Sequence, residues 1–210
     1  DDEKTLYVTT RDRNGLVRIK LSGKTGEYRL SYIDDTDGDV PDTLKTLKEP
    51  YALTFDPDGR HLFVTHLLNG EFSIVDLEKW KLLESHKLKY GVTDIAGDPV
   101  SGYYLVTHKS SGNITLVEPV ESLSGFNVGI KETSVELPTD GYDVRAIEPS
   151  SDGESFYASF QNYLDNSDGD AAPQLIRFKL TGDRYTETEL ISTLSLKGSM
   201  GEIAVFPYTT

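Results

Sequence analysis

The chain has 210 residues, and its 35 Asp plus Glu against 21 Lys plus Arg give a formal net charge of -14. A surface of that sign repels phosphate backbones and anionic lipid heads, so nucleic acid is excluded as a partner. Without cysteine it has no disulfide framework, no thiolate metal site and no Cys-x-x-Cys-His for haem. No apolar run approaches the ~20 residues a spanning helix needs, so no membrane span is expected. The opening Asp1-Asp2-Glu3-Lys4 is not the start of a signal peptide, as expected of a processed chain or a piece of a longer one.

Abundant Gly, Pro, Tyr, Thr and Val, with almost no helical periodicity, point to strands and turns. In chain order, Thr5–Thr10 and Gly15–Leu21 read as strands, and the acidic string Asp34–Asp42 follows as a loop. Tyr51–Phe55 is an apolar strand ending in Asp56-Pro57-Asp58-Gly59, a turn in which Pro fixes φ and Gly tolerates a positive φ. His61–His66 is an aromatic and β-branched strand, Gly70–Leu77 a strand led by glycine, and Lys81–Leu88 an alternating fourth. The succession returns at Asp94–Pro99, Tyr103–His108 and Gly112–Glu118. A more diverged copy runs through Val144–Gly153, Phe156–Phe160 and Leu175–Leu180, and Gly201–Pro207 matches a first strand once more.

Equivalent positions recur at about 42 to 52 residues, the spacing of a four-stranded propeller blade. Such a small sheet needs neighbours on both faces, and radial packing supplies them. The expected fold is therefore all-β, a single β-propeller domain of four-stranded antiparallel blades. Blade 1 takes residues 1–48 plus 201–207, blade 2 residues 49–89, blade 3 residues 90–138 and blade 4 residues 139–198. In that reading four blades close because the C-terminal strand completes the N-terminal blade. The alternative is part of a propeller of about six to eight blades.

The combination F-D-P-D-G-R-H-L-F-V-T-H (55–66) with G-E-F-S-I-V-D-L (70–77) resembles the YVTN family of β-propeller repeats. The resemblance spans nearly the whole chain, although the Asn of the family motif is replaced by Thr10, His66, His108 and Phe160. It implies a prokaryotic surface-layer, periplasmic or otherwise extracytoplasmic protein, usually one that binds, and it transfers no catalytic set.

Three groups of residues could carry chemistry. The strings Asp34–Asp42 and Asp165–Pro173 place alternate carboxylates at Asp35, Asp37 and Asp39, and at Asp168 and Asp170 beside Asn166. Such oxygens could converge on calcium; with no Gly at the sixth position and no Glu at the twelfth, neither string is an EF-hand, and a solvated turn accounts for them equally. His66 and His108 hold the same place in successive blades and could share a transition metal, or simply be hydrogen-bonded turn residues. The starts of the first strands carry Tyr51, Asp94, Asp143, Arg145 and Glu202, which would gather at a channel mouth suited to a cation or polyol, or pair internally through Arg145. His61 and His86 read as exposed strand positions, and Trp80 as a residue packed against a neighbouring blade.

No nucleophile elbow, zinc-protease helix, phosphate loop or dinucleotide fingerprint is present, so no nucleotide cofactor is expected. The leading reading is a non-enzymatic extracytoplasmic module that presents loops to a protein or glycan partner, with calcium, if bound, ordering a loop. The alternative is a metal-dependent lactonase- or lyase-like hydrolase using Asp94, Asp143 and Glu202 at the channel mouth. A third makes the chain one part of a larger assembly whose cofactor sits on another chain.

Overall fold

The computed structural model describes residues 4–23, 27, 29–32, 43–46, 48–88, 91–98, 101–109, 111–120, 129–136, 144–150, 152–160, 173–181 and 187–195. All of its regular structure is β, in four sheets of four antiparallel strands. Among the described residues no helix is long and apolar enough to cross a membrane.

Three sheets follow one plan, each strand pairing with the next along the chain. Blade 2 is β5 (Pro50–Phe55), β6 (His61–His66), β7 (Glu71–Asp76) and β8 (Lys81–Lys87). Blade 3 is β9 (Val92–Gly97), β10 (Tyr104–His108), β11 (Asn113–Val120) and β12 (Gly129–Glu136). Blade 4 is β13 (Val144–Pro149), β14 (Phe156–Phe160), β15 (Gln174–Thr181) and β16 (Glu187–Ser195).

Blade 1 departs from the plan. Its strands β1 (Lys4–Thr10) and β2 (Gly15–Ser22) pair over their length. The far edge of β2 is shared by two short strands, β3 (Arg29–Tyr32) against Ile19–Ser22 and β4 (Thr43–Lys45) against Gly15–Val17. One outer strand is thus built in two pieces, and the acidic string 34–42 falls between them in the sequence. Residues 201–207, expected to complete this blade, lie outside the described residues.

The expected hairpin turn after β5 forms. Gly59 takes φ 66° and donates its N–H to the Asp56 carbonyl at 3.0 Å. One Asp56 carboxylate oxygen accepts the Arg60 and His61 N–H groups at 2.7 and 3.0 Å, which ties the turn to the start of β6.

The apolar interior lies between blades, because alternate residues of one strand face opposite neighbours. Leu62 and Val64 join Leu16 and Val75, with Tyr7 and Trp80 packed against them, between blades 1 and 2. The intervening Phe63 joins Phe72, Ile95, Tyr104 and Val106 between blades 2 and 3, its ring stacked on Tyr104 at 4.1 Å. Leu105 faces the other way, into a cluster with Ile147, Phe156, Phe160 and Phe178 between blades 3 and 4. Trp80 packs against blade 1 as expected, with the Arg18 guanidinium 4.3 Å from its ring centre.

The two histidines read as exposed are not. His61 is 6% exposed, its Nδ1 held 2.7 Å from the second Asp56 carboxylate oxygen. His86 is part-buried and stacks on Phe72 at 5.3 Å. Strand alternation separates the faces of a sheet, but in a propeller both faces are buried, so alternation does not identify the wet one.

Candidate functional site: a cleft on the inner strands

The first strands of blades 2, 3 and 4 pack side by side, β5 on β9 and β9 on β13. Between them lies a cleft of about 270 Å³ lined by Tyr51, Ala52, Leu53 and Thr54 of β5, Asp94, Ile95 and Ala96 of β9, and Glu148 of β13. Among the described lining residues the polar side chains are two hydroxyls and two carboxylates, with no Lys or Arg.

Asp94 is fixed by the backbone. One carboxylate oxygen accepts the N–H of Ile95 at 2.8 Å, and the other accepts the N–H of Ile147 on the next blade at 2.8 Å. Thr93 spans the same seam, donating to the Val144 carbonyl at 3.0 Å while its hydroxyl also meets that of Thr107 at 2.8 Å. On the opposite side, Thr9 of blade 1 donates to the Tyr51 carbonyl at 3.0 Å. The cleft wall is therefore stitched by hydrogen bonds between successive blades.

Glu148 differs from Asp94. It is half-buried, and burial pushes its carboxyl above the usual carboxylate range. No neighbouring cation or donor offsets that effect among the described residues. Strand register shows why it reaches the cleft. Leu53 pairs with Val64 and Ile147 with Ala158, which makes Glu148 the counterpart of Thr54, the other hydroxyl- or carboxyl-bearing residue at this level.

Of the residues read as a channel mouth, the structure brings Tyr51 and Asp94 to this cleft. Arg145 lies on β13, three residues before Glu148, and does not line it. Asp143 and Glu202 fall outside the described residues, as do Asp35, Asp37, Asp39, Asp168 and Asp170 of the two acidic strings. Sequence reading missed Glu148, although a signal existed: it is the single carboxylate in the otherwise apolar or basic strand Val-Arg-Ala-Ile-Glu-Pro.

His66 and His108 are fully buried at the ends of β6 and β10. His66 Nδ1 donates to the Lys48 carbonyl at 3.3 Å, and Nε2 lies 2.8 Å from the Ser73 hydroxyl, which continues to Ser85 at 3.2 Å. His108 Nε2 lies 2.7 Å from the Thr115 hydroxyl. Each imidazole thus bonds to a hydroxyl of the third strand in its own blade. No three His, Cys, Asp or Glu side chains gather as a metal site among the described residues.

No family model and no curated protein matches the chain. Solved structures do. Hydrazine synthase of Kuenenia stuttgartiensis superposes with a TM-score of 0.64 at 14% identity, over 91% of this chain and 46% of that one. A protein of Bacteroides uniformis provisionally named as a 6-phosphogluconolactonase gives a TM-score of 0.65 at 14% identity, over 92% and 52%. The β-propeller domain of Myceliophteria thermophila Cps50 (Swd1) gives 0.56 at 14% identity, over 95% and 58%. The chain spans about half the length of these structures. Repeated blades, cores between blades and these superpositions define a β-propeller protein.

Proposed function

We propose that the protein is a non-enzymatic binding module of the prokaryotic cell envelope or exterior, taking its ligand on the inner-strand cleft and presenting its loops to a protein or glycan partner. One observation carries the reading: the buried histidines and Asp94 are engaged in hydrogen bonds within and between blades, while the inner strands carry a polar cleft. The strings around Asp35, Asp37 and Asp39, and around Asp168 and Asp170, would be ordered by calcium in the same extracytoplasmic setting. Two measurements test the reading. Ligand-detected NMR against defined glycans and peptides is expected to give saturable binding without turnover, with shifts at Thr54, Asp94 and Glu148. Calorimetric titration of calcium into chelator-treated protein is expected to show heat that Asp37→Ala and Asp168→Ala remove.

A second reading has its own support. A half-buried carboxyl held above its usual range is suited to general acid or base work, and one superposing structure carries a provisional lactonase name. Under it, Glu148 moves the proton in hydrolysis of a lactone or a related ester. Hydrolysis of a lactone panel that Glu148→Gln abolishes would replace the binding module with this enzyme.

A further inference from the structure

We propose that the inner-strand cleft takes a small ligand through its primary ammonium group, with the Glu148 carboxylate as counter-ion. The inference rests on reading the cleft as a ligand site and names the chemistry that the site selects.

Three features of the wall point to a cation of this kind. First, Asp94 and Glu148 line the cleft and no Lys or Arg is among its described lining residues, so the field inside favours positive charge. Second, the carboxylates are unequal. Asp94 already accepts two backbone N–H groups that hold blades 3 and 4 together. Glu148 has no such partner among the described residues, and burial alone acts on it. An incoming ammonium would supply the missing donor and offset the lost hydration. Third, an ammonium has three N–H donors and no acceptor, and the wall offers acceptors at Glu148, Asp94 and the hydroxyls of Tyr51 and Thr54. The cleft of about 270 Å³ has room for a short alkylamine.

The test titrates n-butylamine and 1-butanol, which differ in the ammonium, into the full chain at about pH 8, where an alkylamine remains protonated. Amide shifts are followed on the wild type, Glu148→Gln and Glu78→Gln, the last removing an exposed carboxylate on the β7–β8 turn. The expected result is binding of butylamine centred on Thr54, Asp94 and Glu148, at least tenfold tighter than butanol. Glu148→Gln is expected to weaken it about tenfold or more, and Glu78→Gln to leave it unchanged. Equal binding of amine and alcohol in the cleft, or equal effects of the two substitutions, would overturn the ammonium assignment while the cleft remained a ligand site. Absence of any cleft shift with either probe would overturn that reading as well.

Discussion

Asp94 and Ile147 are joined across a blade boundary, the carboxylate of the one accepting the backbone N–H of the other at 2.8 Å. A charged side chain thus does what a strand pairing would do inside a sheet, since blades 3 and 4 share no backbone ladder. Asp94→Ala leaves the Ile147 N–H without this acceptor and is expected to cost about 1–3 kcal/mol in urea unfolding. Asp94→Asn keeps one acceptor oxygen, so it should fall between wild type and alanine.

Phe63 and Tyr104 stack at 4.1 Å between blades 2 and 3, both with almost no exposed surface. Phe63→Ala removes a ring from a closed cluster and is expected to destabilise by about 3–5 kcal/mol. Phe63→Leu, which keeps much of the volume, should cost markedly less. Thermal unfolding of the two variants checks the ordering.

Gly15 is where the interrupted outer strand comes close to β2. A Cβ there would lie 2.5 Å from the Leu44 carbonyl oxygen and 2.7 Å from Thr43 Cγ2. Gly15→Ala must push β4 away, at a cost of roughly 1–3 kcal/mol. Amide exchange is expected to quicken at Thr43–Lys45 and to stay unchanged in β13–β16.

The pH dependence at Glu148 has a definite sign. Its folded pKa lies above the ordinary 4.5 because burial disfavours the charged form. Its contribution is therefore most favourable below that value and is lost as pH rises through the folded pKa. Glu148→Gln keeps the uncharged shape, so it should match wild type in acid and become the more stable protein towards neutral pH. A melting-temperature difference that stays constant across that range would contradict this.

Trp80 is the only tryptophan, and it reports on the seam between blades 1 and 2. It sits at φ 47°, a conformation sterically costly for so large a residue, with Tyr7 at 6.0 Å and Arg18 above its ring. Arg18→Gln is expected to shift the indole emission and to destabilise by about 0.5–1 kcal/mol. Emission unchanged in that variant would place the guanidinium elsewhere in solution.

The blades were legible in the sequence because each first strand, D-P-x-x-G turn and β-branched second strand is a local signal. His61–His66 and Tyr104–His108 emerge as strands with the register that the repeat suggests. Relationships between blades were not legible. Nothing in the repeat marks Asp94 as the residue that crosses to Ile147, because its counterparts in the neighbouring first strands are Ala52 and Ala146. His61 was misread because the carboxylate that covers it comes from the turn before its strand, and His86 because a sheet with two buried faces has no polar side for alternation to reveal. The division of an outer strand into β3 and β4 left no pattern, as each piece is too short for periodicity to show.

Placing every apolar cluster between blades gives the molecule a nearest-neighbour character. Blades 2 and 3 are clamped on both faces, whereas Leu6 and Val8 of blade 1 and Leu190 and Leu194 of blade 4 are exposed. Each blade then leans on its neighbours instead of on one centre, so among the described residues protection from hydrogen exchange should be highest in β6, β7, β10 and β11, whose side chains are buried on both faces.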